Sequence, residues 1–105
     1  MTFSFHPEAE DELFEAIEYY EECRPGLGYD FAKEVYSAID RLLAFPDAWQ
    51  IIDNNIRRCL IKRFPFGIVY SYDNDDIKIL AVMNLHKKPE YWKHRIQDNL
   101  TLDDK

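Results

Sequence analysis

Two apolar stripes of the same spacing lie between Ala9 and Leu42. Ala9, Leu13, Ala16, Ile17 and Tyr20 fall at i, i+4, i+7, i+8 and i+11, and Phe31, Val35, Ala38, Ile39 and Leu42 repeat those offsets. This is the period of an α-helix with one buried face. Pro25-Gly26-Leu27-Gly28 separates the stripes and turns the chain. Two helices joined by so few residues pack as an antiparallel hairpin. The shared spacing follows from packing on one core, since no internal repeat or low-complexity segment is present. Pro7 suits the first turn of the first helix, and Glu8, Glu10, Asp11 and Glu12 complement the positive end of its dipole. Glu8, Asp11, Glu12, Glu15, Glu18 and Glu22 lie largely off the stripe and read as a solvated face. The second helix is expected to start near Tyr29 or Asp30 and to end near Phe45-Pro46.

After Pro46 the period becomes extended. Ile56 to Phe64 mixes apolar and basic residues, Gly67 to Tyr72 is β-branched and aromatic, and Ile77 to Leu85 is almost wholly apolar. Asp73-Asn74-Asp75-Asp76 is a turn between the last two. Three strands with short links make an antiparallel meander, and the apolar run 79–83 marks a strand that is central or covered on both faces. Ala48 to Asp53 can add a short edge strand. Phe3 and Phe5 alternate as in a strand before the first helix, and Pro89 opens a short final helix through Glu90, Tyr91, Trp92 and Arg95. The expected fold is α+β and two-layered, with an N-terminal strand, a helical hairpin on an antiparallel sheet of three to four strands, and a short C-terminal helix.

A chain of 105 residues, 47% hydrophobic and 15% aromatic, supports one self-sufficient core. Residues 1–98 are read as that single domain and 99–105 as a mobile polar tail. No apolar run is long enough to span a bilayer, and residues 1–8 lack the basic flank and apolar stretch of a signal peptide, so a cytoplasmic location is expected. Cys23 and Cys59 form no C-x-x-C pattern and are read as free thiols. The net charge of −7 hides a segregation. Residues 1–55 hold 13 acidic side chains against Arg24, Lys33 and Arg41, whereas residues 56–95 hold nine Lys and Arg against Asp73, Asp75, Asp76 and Glu90. Two surfaces with different partners follow.

On the strand ending at Phe64, Arg58 and Lys62 are expected on one face with Leu60 between them, and Arg57 and Arg63 on the other. Such cations either hold phosphates or carboxylates or guard a sheet edge. Tyr70 and Tyr72 share a side with Ile68 and read as packing residues with wet hydroxyls. His86-Lys87-Lys88-Pro89-Glu90-Tyr91-Trp92-Lys93-His94-Arg95 follows an apolar strand, where function tends to be mounted. His86 suits general acid or base work, or else bonds a backbone carbonyl and ends the sheet. Tyr91 and Trp92 read most simply as a hydrophobic anchor. His86 and His94 are poorly spaced for a metal, His6 is distant, and no phosphate loop or paired-carboxylate motif is present. Neither metal nor cofactor is expected.

Several strings together resemble the RelE/ParE superfamily of bacterial toxins, in its ParE-like, plasmid-stabilisation branch. They are Phe5-His6-Pro7-Glu8-Ala9-Glu10 with Glu12-Leu13, Tyr19-Tyr20 before Arg24-Pro25-Gly26-Leu27-Gly28 and Phe31, Phe45-Pro46, Arg57-Arg58, Lys62-Arg63-Phe64-Pro65-Phe66-Gly67-Ile68-Val69-Tyr70, Ile79-Leu80-Ala81-Val82, and His86-Lys87-Lys88-Pro89 with Tyr91-Trp92 and Arg95. The resemblance implies the toxin of a type II toxin–antitoxin module, neutralised by a cognate antitoxin and causing growth arrest when free. ParE-like members poison DNA gyrase, whereas RelE-like members cut mRNA on the ribosome. A nuclease here would draw on Arg58, Lys62, His86 and Arg95. Antitoxin or target contacts are expected from Arg57, Arg58, Lys62, Arg63, His86, Lys87, Lys88, Tyr91, Trp92 and Arg95. A third reading is a non-toxic family member that only binds a partner, and a homodimer or a toxin–antitoxin heterotetramer is the assembly implied. Members are commonly basic or near neutral, and this chain also has Lys87-Lys88 where arginine is frequent; both departures point away from a surface that grips RNA. The antitoxin is expected at an exposed sheet edge and in the groove between hairpin and sheet.

Overall fold

The computed structural model describes residues 2–96, in the order β1 (Thr2–Phe5), α1 (Pro7–Cys23), α2 (Leu27–Ala44), β2 (Gln50–Asp53), β3 (Ile56–Leu60), β4 (Phe66–Asp73) and β5 (Asp76–Asn84). The expected domain end at residue 98 and the tail from Asn99 lie outside the described residues. Pro7 stands in the first turn of α1, as read, and His6 supplies the cap, its Nδ1 accepting from the Glu8 N–H at 3.1 Å. α2 begins at Leu27, ahead of the expected Tyr29 or Asp30, for two local reasons. Gly26 takes the left-handed conformation at φ 89°, open to glycine without strain. The Glu21 carboxylate then reaches from α1 to accept the N–H groups of Gly26 and Gly28 at 3.0–3.1 Å, satisfying donors that a helix start leaves bare.

Gly28 also sets how closely the helices approach. A Cβ there would stand 2.6 Å from the Ile17 carbonyl oxygen, which is backbone and cannot swing aside. Gly28→Ala is therefore expected to force the hairpin apart and to destabilise the protein by about 1–3 kcal/mol in urea denaturation.

The sheet order is β1-β5-β4-β3-β2. β2 to β5 form the antiparallel meander, with the anticipated edge strand present as β2, and β1 joins as a fifth strand, parallel to β5. Asn74 and Asp75 both have positive φ, 52° and 63°, the requirement of a type I′ hairpin turn. Between sheet and helices lies the main core, where Leu13, Phe31, Val35 and Ile39 meet Ile68, Tyr70, Ile77 and Ile79.

β5 is covered on both faces, as its apolar run foretold. A register shift opposite Val69 and Tyr70 breaks its alternation. Ile77, Ile79 and Val82 therefore belong to the helix-side core, while Leu80, Ala81 and Met83 pack with Ile56, Val69 and Trp92 on the far side. Beyond β5 the chain makes turns and becomes helical only at 94–96 among the described residues.

Two expectations need correction. β3 stops at Leu60 instead of running to Phe64. Pro65 has no N–H to donate to a ladder and Arg63 adopts φ 72°, so residues 62–65 form a loop that the Ile61 N–H to Phe66 carbonyl bond closes at 3.1 Å. Tyr70 does not keep a wet hydroxyl: it is fully buried and donates to the Pro46 carbonyl at 2.7 Å.

Candidate functional site

The first strand is short because His6 hands the chain to α1, its N–H donating to the Ile79 carbonyl at 2.8 Å. Among the described residues, β5 thus has no strand beside it on that edge from Leu80 onward. Backbone groups left bare on an edge need partners, and two side chains supply them. Glu12 Oε1 accepts from the Val82 N–H at 3.0 Å, and Arg95 Nη1 donates to the Leu80 carbonyl at 2.8 Å. Glu12 also accepts from Arg95 Nη1 at 2.9 Å and Nη2 at 3.0 Å, and from the Tyr91 hydroxyl at 2.7 Å. It therefore ties α1, the β5 edge and the segment after His86 into one network.

The Arg95 side chain is only 5% exposed and that of Glu12 only 15%. Burial opposes the Arg95 charge, and the bonds and charge of Glu12 outweigh it, holding the guanidinium above its usual value. Glu8 lies 3.7 Å from Arg95, and its carboxylate meets His94 Nε2 at 3.1 Å. The solvated-face reading of α1 consequently fails for Glu12, whose partners come from the far end of the chain. Glu21, by contrast, finds its partners locally, at the start of α2.

Beside this network runs a groove of about 430 Å³. Glu15, Tyr19 and Tyr20 of α1 form one wall, and His86, Lys87 and Tyr91 form the other. Phe66, Val82 and Asn84 line it from the sheet. Tyr20 is anchored among Phe31, Phe64 and Phe66, with ring centroids 4.8–6.2 Å apart. Tyr19 is 62% exposed. Lys87 and Arg95 both stand over the Tyr91 ring, at 5.1 and 5.0 Å.

The hydroxyls of Tyr91 and Tyr70 report on this architecture through pH. Burial pushes Tyr91 above the ordinary 10.0, and the bond and charge of Glu12 push it further; burial does the same to Tyr70. An acid whose value rises on folding stabilises the native state fully below its unfolded value and loses that contribution as pH climbs through the folded one. Urea melts across a pH series should show these tyrosines contributing nothing pH-dependent near neutrality and a loss of stability above about pH 10. Tyr91→Phe should make that loss smaller.

The basic residues singled out from sequence do not form one cluster. Arg57 turns toward the β2 side, donating to the carbonyls of Asp47 and Trp49 at 3.0 and 2.9 Å. Lys62 is exposed in the loop after β3, and Arg63 pairs with Asp30 at 3.5 Å. Trp92 is buried at 1% exposure, while Lys88 is exposed. His86 is exposed on the groove wall, and its backbone N–H, not its ring, makes the local bond, to Asn84 Oδ1 at 2.9 Å. Of the four residues a nuclease would need, Arg95 is already engaged by Glu12, His86 faces the groove, and Arg58 lies on the sheet face away from the helices, as its register with Val69 requires. Among the described residues no set of three or more His, Cys, Asp or Glu is arranged for a metal ion, and no helix is long and apolar enough to cross a membrane.

Glu12, Glu15, Tyr19 and Tyr20 were not among the site residues read from sequence. Only the Tyr19-Tyr20 pair carried a signal, as two large aromatics on the rim of a helical stripe.

No curated protein matches the chain. The solved structure of the chromosomal ParDE TA system from P. aeruginosa is similar to it with a TM-score of 0.71 at 17% identity, over 82% of this chain and 97% of that one, which is a likeness of fold. The family model for the ParE toxin of the type II toxin-antitoxin system, parDE, matches residues 3–89, from the first strand to the turn beyond β5. With its strand order, its hairpin and its sequence all in agreement, the chain belongs to the ParE toxin family of type II toxin–antitoxin systems.

Proposed function

We propose that this protein is a cytoplasmic toxin that acts by binding, poisons DNA gyrase, and is neutralised by a cognate antitoxin seated in the groove between α1 and the His86–Tyr91 segment. The observation that carries the antitoxin placement is that, among the described residues, β5 has no strand beside it from Leu80 onward within that groove, only the side chains of Glu12 and Arg95. An extended peptide can add to such an edge through its backbone while its side chains enter the pockets on either side. Tyr19 and Tyr20 on one wall and Tyr91 on the other offer rigid aromatic surface for apolar anchors, and Lys87 and His86 stand beside Tyr91. Binding rather than cleavage is supported by the dispersal of Arg58, Lys62, His86 and Arg95. An RNA-cleaving site needs cations and a proton acceptor gathered around one phosphate.

Expression without antitoxin should arrest growth, and the purified protein should inhibit gyrase supercoiling; gyrase that keeps its full activity in its presence would refute the target. Codon-linked cleavage of mRNA in a translating extract would instead establish the nuclease. For the antitoxin, exchange of the exposed groove residue Tyr19 for alanine should weaken the complex about tenfold or more, as loss of an aromatic hot spot does. An unchanged affinity by calorimetry would place the antitoxin elsewhere.

A further inference from the structure

Arg58 differs from the other arginines that are partly or wholly buried. Arg41 donates to Ser37 and to the Leu60 carbonyl, Arg57 to two carbonyls, and Arg95 to Glu12. Arg58 donates no hydrogen bond and forms no ion pair among the described residues, and its Nε is shielded from water. A guanidinium drawn partly out of water with nothing to accept from it is held at a cost, which an incoming acceptor would offset.

Its position is set by the residues around it. Arg58 sits opposite Val69 on β4, on the sheet face away from the helices. Gly67 leaves a notch there, for a Cβ at Gly67 would lie 3.1 Å from both Cγ and Cδ of Arg58. The stem is thus seated against the sheet beside Gly67. Leu60, two residues along the same face and paired with Gly67, is 51% exposed. An unpaired planar cation and an unburied isobutyl group therefore stand side by side.

We infer that Arg58 and Leu60 form a docking site for a protein segment that carries a carboxylate next to an apolar side chain. The fork matches a carboxylate through two parallel bonds. Phosphodiester backbone is the poorer match. It calls for several cations in a row, whereas Lys62 and Arg63 have left the strand, Arg63 is paired with Asp30, and the chain as a whole carries −7. The site lies across the sheet from the helical hairpin, so an antitoxin in the groove leaves it free. Resting on the toxin reading above, it is the surface that contacts the target.

The test is titration of the isotope-labelled full chain with 4-methylpentanoate, which joins a carboxylate through one methylene to an isobutyl group, and separately with inorganic phosphate, followed at the Arg58 Nε–Hε and Leu60 methyl resonances. Saturable shifts of both signals with 4-methylpentanoate are expected, at lower concentration than with phosphate, and weakened about fivefold in Leu60→Ala. Arg58→Lys, which keeps the charge without the fork, should lose most of the Leu60 response. A response to phosphate at equal or lower concentration, or none to either probe, overturns the site. In cells, Arg58→Ala should keep its Tm and its antitoxin complex yet no longer arrest growth, and a variant that arrests growth like the parent overturns the target role. A parent chain that arrests nothing overturns the toxin reading instead and leaves the titration to decide the docking site.

Discussion

Exchange of Glu12 for alanine is expected to destabilise the protein by about 3–5 kcal/mol, the cost of leaving a buried charge without its partner. Arg95, 5% exposed, would retain the Leu80 carbonyl, the face of the Tyr91 ring and the more distant Glu8, and no close carboxylate. The Val82 N–H and the Tyr91 hydroxyl would lose their acceptor in the same step. Chemical denaturation should show the drop, and the melting temperature should fall by roughly 10 °C or more. Arg95→Ala should be similarly damaging, whereas the double change Glu12→Leu with Arg95→Met should recover much of the loss, since an apolar pair of like volume needs no compensation. If Glu12→Ala melted like the parent, the network would be an ornament of the fold. The groove should suffer along with stability, because the same carboxylate holds Tyr91 in its wall.

Truncation of Trp92 to alanine should remove about 3–5 kcal/mol of packing. The indole is 1% exposed and fills the far side of the sheet against Ile56, Val69, Leu80, Ala81 and Met83. Its Nε1 has no hydrogen-bond partner among the described residues. Trp92→Phe should accordingly cost much less than Trp92→Ala, since it keeps the ring and deletes an unsatisfied donor. The effect need not unfold the whole domain. Lys93 reaches Asp53 at 3.6 Å and Arg95 holds Glu12, so hydrogen exchange would separate local release of the segment from global unfolding. Rapid exchange confined to Tyr91, Lys93 and Arg95 would show release, and rapid exchange across β4 and β5 would show unfolding.

Much of the architecture was legible because its causes are local. The stripes from Ala9 to Tyr20 and Phe31 to Leu42 follow the turn of a helix, and each became a helix packed on one core. The Asp73–Asp76 turn was readable because Asn and Asp tolerate positive φ. β3 was overextended for an equally local reason. The mixture of basic and apolar residues continues on paper through Phe64, yet composition says nothing of a ladder that Pro65 cannot join.

The candidate site was far less legible. A helical wheel assigns Glu12 to solvent by its angle within α1, but its partner Arg95 lies 83 residues away. The same wheel cannot show that β1 ends at Phe5 and leaves a bare edge on β5 for Glu12 and Arg95 to satisfy. Arg57, Arg58 and Arg95 look alike in sequence; one turned out to be tied to carbonyls, one unpaired and one buried in an ion pair.

The helices, the order of the strands along the chain and the two-layer arrangement were readable from the residues alone, because periodicity and turn chemistry act over a few residues. Which charges are spoken for, and where a partner finds room, emerged with the packed chain. A charge is free or bound according to what stands within about 4 Å of it, and those neighbours come from strand ends, a register shift and a returning C-terminal segment that no local pattern encodes.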